Sequence, residues 1–480
     1  MMMRRSLGLK LSVLSTVFLL SACQPDANKS ATATQESFDY QSIPDYSHDV
    51  IGMHEQYLEP EFWLQRLPNP NEIVLTPTEI DAFNARSYDV QDELVRLNTL
   101  PNSYSATELR NKIDSISTLP KYPRYYADGT QVSDEQLQSY RDAVNISAVA
   151  ENNPVHFGLV VNRTPMRTFP TLDKLYSEGL DLDIDRFQET GLFPGSAVAI
   201  LHTSADGNWY LAQSYNYLAW VQAKDVAIGD RDVVLAYTEQ TPYAIVSGGT
   251  VRTVYNPEVP AVSEVQLDMG SRLPLLSAAE TGHNVHGQNP FATYIVKLPV
   301  RNLNGELDFE PALIPRSADM HIGHLPYTEA VVISQAFKFL GERYGWGHDF
   351  NGRDCTGFVS EVYRSVGIDM PRNSGQQGYG EYGQTTLFDK DATREEKLAR
   401  IKAAKIGDLM YLPGHVVMYI GEINGEPYVI HDVHGMSYHD DSGNYYKGTL
   451  NGVSVTPLLT LGFGKDATYL DAIYSIKTVR

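Results

Sequence analysis

The stretch NGRDCTGFVSEVYRSVG, residues 351–367, decides how the last third of this chain folds, and it holds one of the two cysteines among 480 residues. Phe358, Val359, Val362 and Val366 recur at helical spacing, so the segment from Cys355 onward reads as an amphipathic helix with the thiol in its first turn. A thiol there faces the positive end of the helix macrodipole and unpaired backbone N–H groups, which lower its pKa and can hold an oxyanion. Those are two requirements of a cysteine nucleophile, and the third is a base.

Around this segment the pattern is α then β. PYTEAVVISQAFKFLGERYGWG (326–347) predicts a helix ending at Gly341 or Gly345, and strands follow at GDLMYLP, HVVMYIGEI and PYVIHDV. His415 opens the second of these strands and His431 lies in the third, with Asn424-Gly425 as the turn between them. The two are cross-strand neighbours if the hairpin carries a bulge or a longer loop. A strict two-residue turn sets His434 opposite His415 instead, so residue spacing leaves the third member open between His431 and His434.

The other cysteine, Cys23, closes a different pattern. Arg4, Arg5 and Lys10 precede an apolar run from Leu11 to Leu20, which reads as a secretory signal too short for a membrane span. Cys355 is then an exported thiol without a disulfide partner, which calls for a chemical role. The 38 basic against 59 acidic residues, net −21, argue against nucleic acid as a partner. At this length the chain exceeds one core and should split into several domains.

Residues 24–36 read as a flexible tether, and 37–150 as a mainly helical stabilising region too poor in apolar residues to stand alone. Its helices begin at Thr76-Pro77-Thr78-Glu79, at Ser105 or Thr107, and in SDEQLQSYRDAVN. From 155 to 232, short alternating strands with a turn at Asp206-Gly207-Asn208 indicate a small β-barrel or sandwich, with Trp209 and Trp220 in its core. A second β-rich stretch spans 233–312, and the α/β segment spans 325–480.

Together, YGWGHDFNGRDCTGFV, GHVVMYIG and VIHD resemble the NlpC/P60 family of papain-like cell-wall cysteine peptidases over residues 325–480. The resemblance implies a catalytic triad of Cys355, His415 and His431, selecting His431 over His434, and places Tyr344 near the oxyanion. WYLAQSYNYLAWV resembles a bacterial SH3 domain, and 233–312 more weakly a second one. The implied fold is multidomain α+β: a papain-like catalytic domain preceded by two SH3-like β-barrel modules and the helical N-terminal region. That order resembles the γ-D-glutamyl-L-diamino acid endopeptidases, which trim peptidoglycan stem peptides bearing a free N-terminal L-Ala. By that likeness Asp354 pairs with the substrate ammonium, Thr356 adds a hydrogen bond and Tyr217 lines the pocket in preference to Tyr215. Thr356 stands where Ser is commoner and His348 where Gly is common. The end of the leader, Leu20-Ser21-Ala22-Cys23, resembles a lipobox with Cys23 as the lipidated residue at 1–23, and Gln24 favours the periplasmic face of the outer membrane. The expected partners are peptidoglycan-derived peptides, and the membrane through the lipid alone. No metal or other cofactor is expected.

Plainer readings compete. A lone cysteine is often a small core residue, Asp354 can merely cap its helix, and His431, His434 and His439 could gather a metal, although their spacing fits no helical pair. A binding or scaffold protein with a silent catalytic domain is a different class of function. A murein endopeptidase acting on polymeric wall is the rival within enzymes.

Overall fold

A computed structural model describes residues 48–440 and 442–480. The leader, Cys23 and the tether lie outside the described residues. Among those described, no helix is long and apolar enough to cross a membrane.

The helices Pro77–Val90 and Ala106–Ile116 start with capping boxes in which Thr76 and Ser105 exchange hydrogen bonds with Glu79 and Glu108. A third, Asp134–Ala143, is capped by the Ser133 hydroxyl. Such caps fix a first turn for about 1 kcal/mol each, but the region borrows its core, as its composition requires. Trp63 and Ile80 pack into the core of the last, α/β domain, with the Trp63 ring 5.4 Å from that of Tyr428. Leu109, Ile113 and Tyr140 cover one face of the β-barrel.

That barrel is a seven-stranded antiparallel sheet in the order Val226–Gly229, His156–Val160, Ala197–Thr203, Trp209–Gln213, Leu218–Gln222, Thr164–Arg167, Gln188–Leu192. Both faces of its strands are apolar because each meets a different core. Ala212, Ala219 and Val221 share one cluster, whereas Trp209, Leu211 and Trp220 join the other, beneath the N-terminal helices. The two tryptophans are therefore buried as expected but at the seam with those helices, where Trp220 Nε1 donates to Ser117 Oγ at 2.8 Å.

The next β module has its own core around Val246, Leu267, Val296 and Ile314. It runs beyond residue 312, since Met320–Ile322 pairs with the strand Tyr243–Val246.

In the last domain, Thr328 caps the helix Glu329–Phe337. The helix stops sooner than the apolar pattern suggests, because the chain turns through Gly341 (φ +80°) and its amide donates to Val453 O. The thiol helix, Cys355–Ser365, packs against an antiparallel six-stranded sheet ordered Gln384–Leu387, Ser475–Thr478, Leu409–Leu412, His415–Ile423, Glu426–His439, Tyr445–Pro457. Phe358, Val359 and Val362 are fully buried, so the predicted stripe is the packing face. Just before the helix, the buried Arg353 reaches Glu361 at 2.7 Å, Glu342 at 2.7 Å and Asp268 at 3.1 Å, tying the second β module to the thiol helix.

Candidate active site

Cys355 is the first residue of its helix, and Asp354 caps that helix by accepting from Gly357 N at 2.7 Å. Across from it, Asn424-Gly425 makes a two-residue turn with both φ positive. The strict register holds only as far as Gly421–Tyr428; a bulge then shifts the pairing to Tyr419–Val429 and Met418–Ile430. Continued to His415, the shifted register sets Val433 opposite it and turns His431, two residues along the same face, toward it in place of His434: His415 Nε2 lies 2.8 Å from His431 Nδ1, and His431 Nε2 lies 2.9 Å from Thr456 Oγ1. Tyr469 stands edge-on to both rings, 6.0 and 6.1 Å away.

This network is compatible with a base at His415. When His431 Nε2–H donates to Thr456 Oγ1, His431 Nδ1 accepts from His415 Nε2–H, and His415 Nδ1 keeps a lone pair for the thiol proton. Burial lowers His415 to about 4, and burial together with the His415 charge drives His431 well below its ordinary value, so both rings rest neutral. Cys355, 6 % exposed, moves the other way. Burial and the Asp354 charge push its thiol up, outweighing the stabilising backbone N–H of Val416. The expectation of a depressed thiol pKa is therefore not met: desolvation beside a carboxylate exceeds what a helix start supplies.

Tyr344 is buried beside the thiol. Burial and the charges of Cys355, Asp354 and Asp432 drive its pKa far up, leaving a neutral hydroxyl donor. Asp432, next to His431 on the strand, is wholly buried with neither carboxylate oxygen hydrogen-bonded. Burial and the charges of Asp354 and Glu342 raise it well above the carboxylate range, so it is a neutral acid.

The residues expected to bind substrate divide. Asp354 Oδ2 accepts from Arg372 Nη2 at 2.7 Å and from Gly347 N at 3.1 Å, while Oδ1 accepts from Gly357 N and, at 3.0 Å, from Thr356 Oγ1. Burial opposes the Asp354 charge, but Arg372, His348 and the Gly357 amide outweigh it and hold the carboxyl at about 2. Thr356 Oγ1 also accepts from Arg372 Nη1 at 2.6 Å. Both side chains are thus engaged inside the protein, by an arginine that spacing alone gave no reason to single out.

Arg372 Nε also donates to Thr190 Oγ1 at 2.6 Å, clamping the barrel strand Gln188–Leu192 to the start of the thiol helix. The next residue on that strand, Glu189, is half-buried and accepts hydrogen bonds from Thr168 Oγ1 and from the Tyr217 hydroxyl. Tyr217 is drawn up in pKa by burial and by Glu189, and it is sensitive to Arg372 and Asn373, which places it beside this junction. Tyr215 faces elsewhere, accepting from Arg364. His348, at φ +66°, is buried against Glu361 at 3.1 Å.

The three histidines weighed as a metal cluster do not converge. His431 is bound to His415 and Thr456, His439 lies against the Tyr445 ring, and His434 faces Asp183 at 3.4 Å and Asp181 at 3.7 Å. The donor atoms of Asp181, Asp183 and His434 lie within 4.8 Å of one another, but Asp183 already receives Arg343 and Asn451.

Against known proteins, residues 341–455 match the NlpC/P60 family and residues 170–222 the SH3 domain of the SH3b1 type. The probable endopeptidase p60 of Listeria monocytogenes is 32% identical over 121 residues, 24% of this chain and 21% of that protein. The γ-D-glutamyl-L-lysine dipeptidyl-peptidase of Bacillus cereus is 26% identical over 217 residues, 43% of this chain and 55% of that protein. The chain thus spans about a fifth of the length of the Listeria relatives it matches. Among solved structures, an NlpC/P60 endopeptidase from Photobacterium damselae subsp. piscicida superposes with a TM-score of 0.70 at 16% identity, covering 87% of this chain and 96% of that one, a likeness of fold.

Proposed function

From a chain that carries an NlpC/P60 domain and an SH3b domain, we propose a cysteine peptidase that cuts the γ-D-Glu to L-diamino acid bond of peptidoglycan stem peptides with a free N-terminal L-Ala. The observation that carries this reading is the hydrogen-bonded His415, His431, Thr456 line, with Cys355 at the backbone N–H of Val416 next to His415, beside a barrel wall that offers a carboxylate, Glu189. His415 Nδ1 takes the thiol proton as sulfur attacks the γ-carbonyl carbon, and the oxygen that gains charge is held by backbone N–H groups at the helix start and by the Tyr344 hydroxyl. The C–N bond breaks as His415 returns its proton to the departing amine. Water then gives a proton to His415 and its oxygen to the acyl carbon, freeing the thiol and the new carboxylate.

For the free amine we assign Glu189 and Tyr217 in place of Asp354, whose charge Arg372 already balances. An ammonium gains a charge-assisted bond there that an acylated, neutral nitrogen cannot make. The test gives wild type and Cys355→Ala the tripeptide L-Ala-γ-D-Glu-diaminopimelate and its N-acetylated twin, with products read by mass spectrometry. Release of L-Ala-D-Glu from the free-amine peptide by wild type alone is expected. Equal cleavage of both peptides would favour a wall-cutting endopeptidase, and cleavage of neither would favour a binding protein.

A further inference from the structure

A cavity of about 1130 Å³ is lined by none of Cys355, His415 and His431. It lies behind the thiol helix, whose Gly357, Ser360 and Arg364, one helical face, form part of its wall. The N-terminal region, the barrel and the second β module supply the rest, a junction of the kind where small-molecule sites concentrate.

Its polar groups point to an acceptor that the protein does not provide. Arg272 donates through Nη2 to Gln240 O at 2.8 Å and lies 3.8 Å over the Tyr243 ring, but its Nη1 is buried without a hydrogen-bond partner. The neighbouring Ser271 Oγ is likewise buried and unpartnered. Arg364 Nη2 donates to Tyr215 Oη at 2.9 Å, and Glu361 and Asp369 lie near enough to favour its charge. Of the carboxylates in the lining, Asp369 accepts from Tyr88 Oη, and Asp81 and Glu239 are exposed. Orphaned buried donors each cost free energy, and two in one cavity lining, one of them a guanidinium nitrogen, call for an anion. Leu192, Phe193, Leu325 and Val366 supply apolar wall for a carbon skeleton.

We propose that this cavity is a binding site for a small organic anion of the carboxylate class, held by Arg272, Ser271 and Arg364. Because these residues belong to the second β module and to the thiol helix, occupancy cross-links the two.

Thermal unfolding and titration calorimetry of the whole protein, at constant ionic strength, with glutarate, inorganic phosphate and the uncharged glutaramide, test it. Saturable stabilisation by glutarate, absent with glutaramide, is expected. Arg272→Gln should weaken glutarate binding at least tenfold, and Ser271→Ala, a smaller change, should weaken it severalfold. Binding of phosphate without glutarate would overturn the carboxylate assignment. No saturable response to either anion, or unaltered glutarate binding by both variants, would overturn the site.

Discussion

In the proposed reaction Cys355 starts as a thiol, because burial and Asp354 keep the proton on sulfur while burial keeps His415 neutral down to about pH 4. A raised thiol pKa means that the thiolate fraction is small at neutral pH and grows about tenfold per pH unit. Alkylation by iodoacetamide should therefore climb steadily from pH 6 to 9; a plateau already established at pH 5 would reveal a preformed thiolate–imidazolium pair instead. The acid limb of kcat/KM should sit near His415's lowered value, since the base works only when neutral. Thr456→Val removes one hydrogen bond that sets the His431 tautomer, so kcat should fall roughly fivefold with KM unchanged, in line with about 1 kcal/mol; a change in KM alone would contradict a positioning role. Cys355 and His415 were legible because helix start and strand start are local patterns. Thr456, Arg372 and Glu189 were not, since each acquires its meaning only across strands or domains.

At the scale of elements, the His415–His431 pairing depends on the bulge before Gly421. That glycine has φ +147°, and a Cβ on it would meet the Trp63 ring at 3.0 Å. Gly421→Ala should strain the bulge and cut activity at least tenfold while unfolding shows a loss of about 1–3 kcal/mol; unchanged activity would mean that the bulge does not govern the register. The Asn424-Gly425 turn was readable from sequence, but the bulge answers to a tryptophan some 350 residues away, so the choice between His431 and His434 needed either the fold or the family likeness. Asp432 on the same hairpin strand makes a second prediction. Its folded pKa is raised, so the folded state holds a proton that the unfolded state releases above about pH 4, and stability falls as pH rises from there toward the folded pKa. Asp432→Asn should flatten that decline above about pH 4, where one proton is worth up to about 1.4 kcal/mol per pH unit; parallel unfolding curves for variant and wild type would assign the proton elsewhere.

Across the whole molecule, Arg353 is the buried tie between the second β module and the thiol helix. Arg353→Met strands Asp268, Glu342 and Glu361 together and should cost about 3–5 kcal/mol in chemical unfolding. The need of the N-terminal segment for foreign cores followed from its thin apolar composition. The clamp of Arg372 on Thr190, which makes a wall of the active site from another domain, is a long-range contact that leaves no periodic trace. That wall is where the proposed specificity resides. Glu189→Gln should lower kcat/KM for the free-amine tripeptide roughly 10- to 100-fold, the worth of a charged hydrogen bond, leaving any slow cleavage of the acetylated peptide unchanged. The most direct measurement is acid-quenched intact-protein mass spectrometry during turnover. An added L-Ala-D-Glu acyl group on Cys355 is expected with the free-amine peptide and none with its acetylated twin; turnover without an adduct on Cys355, or equal adducts from both peptides, would contradict the proposed mechanism.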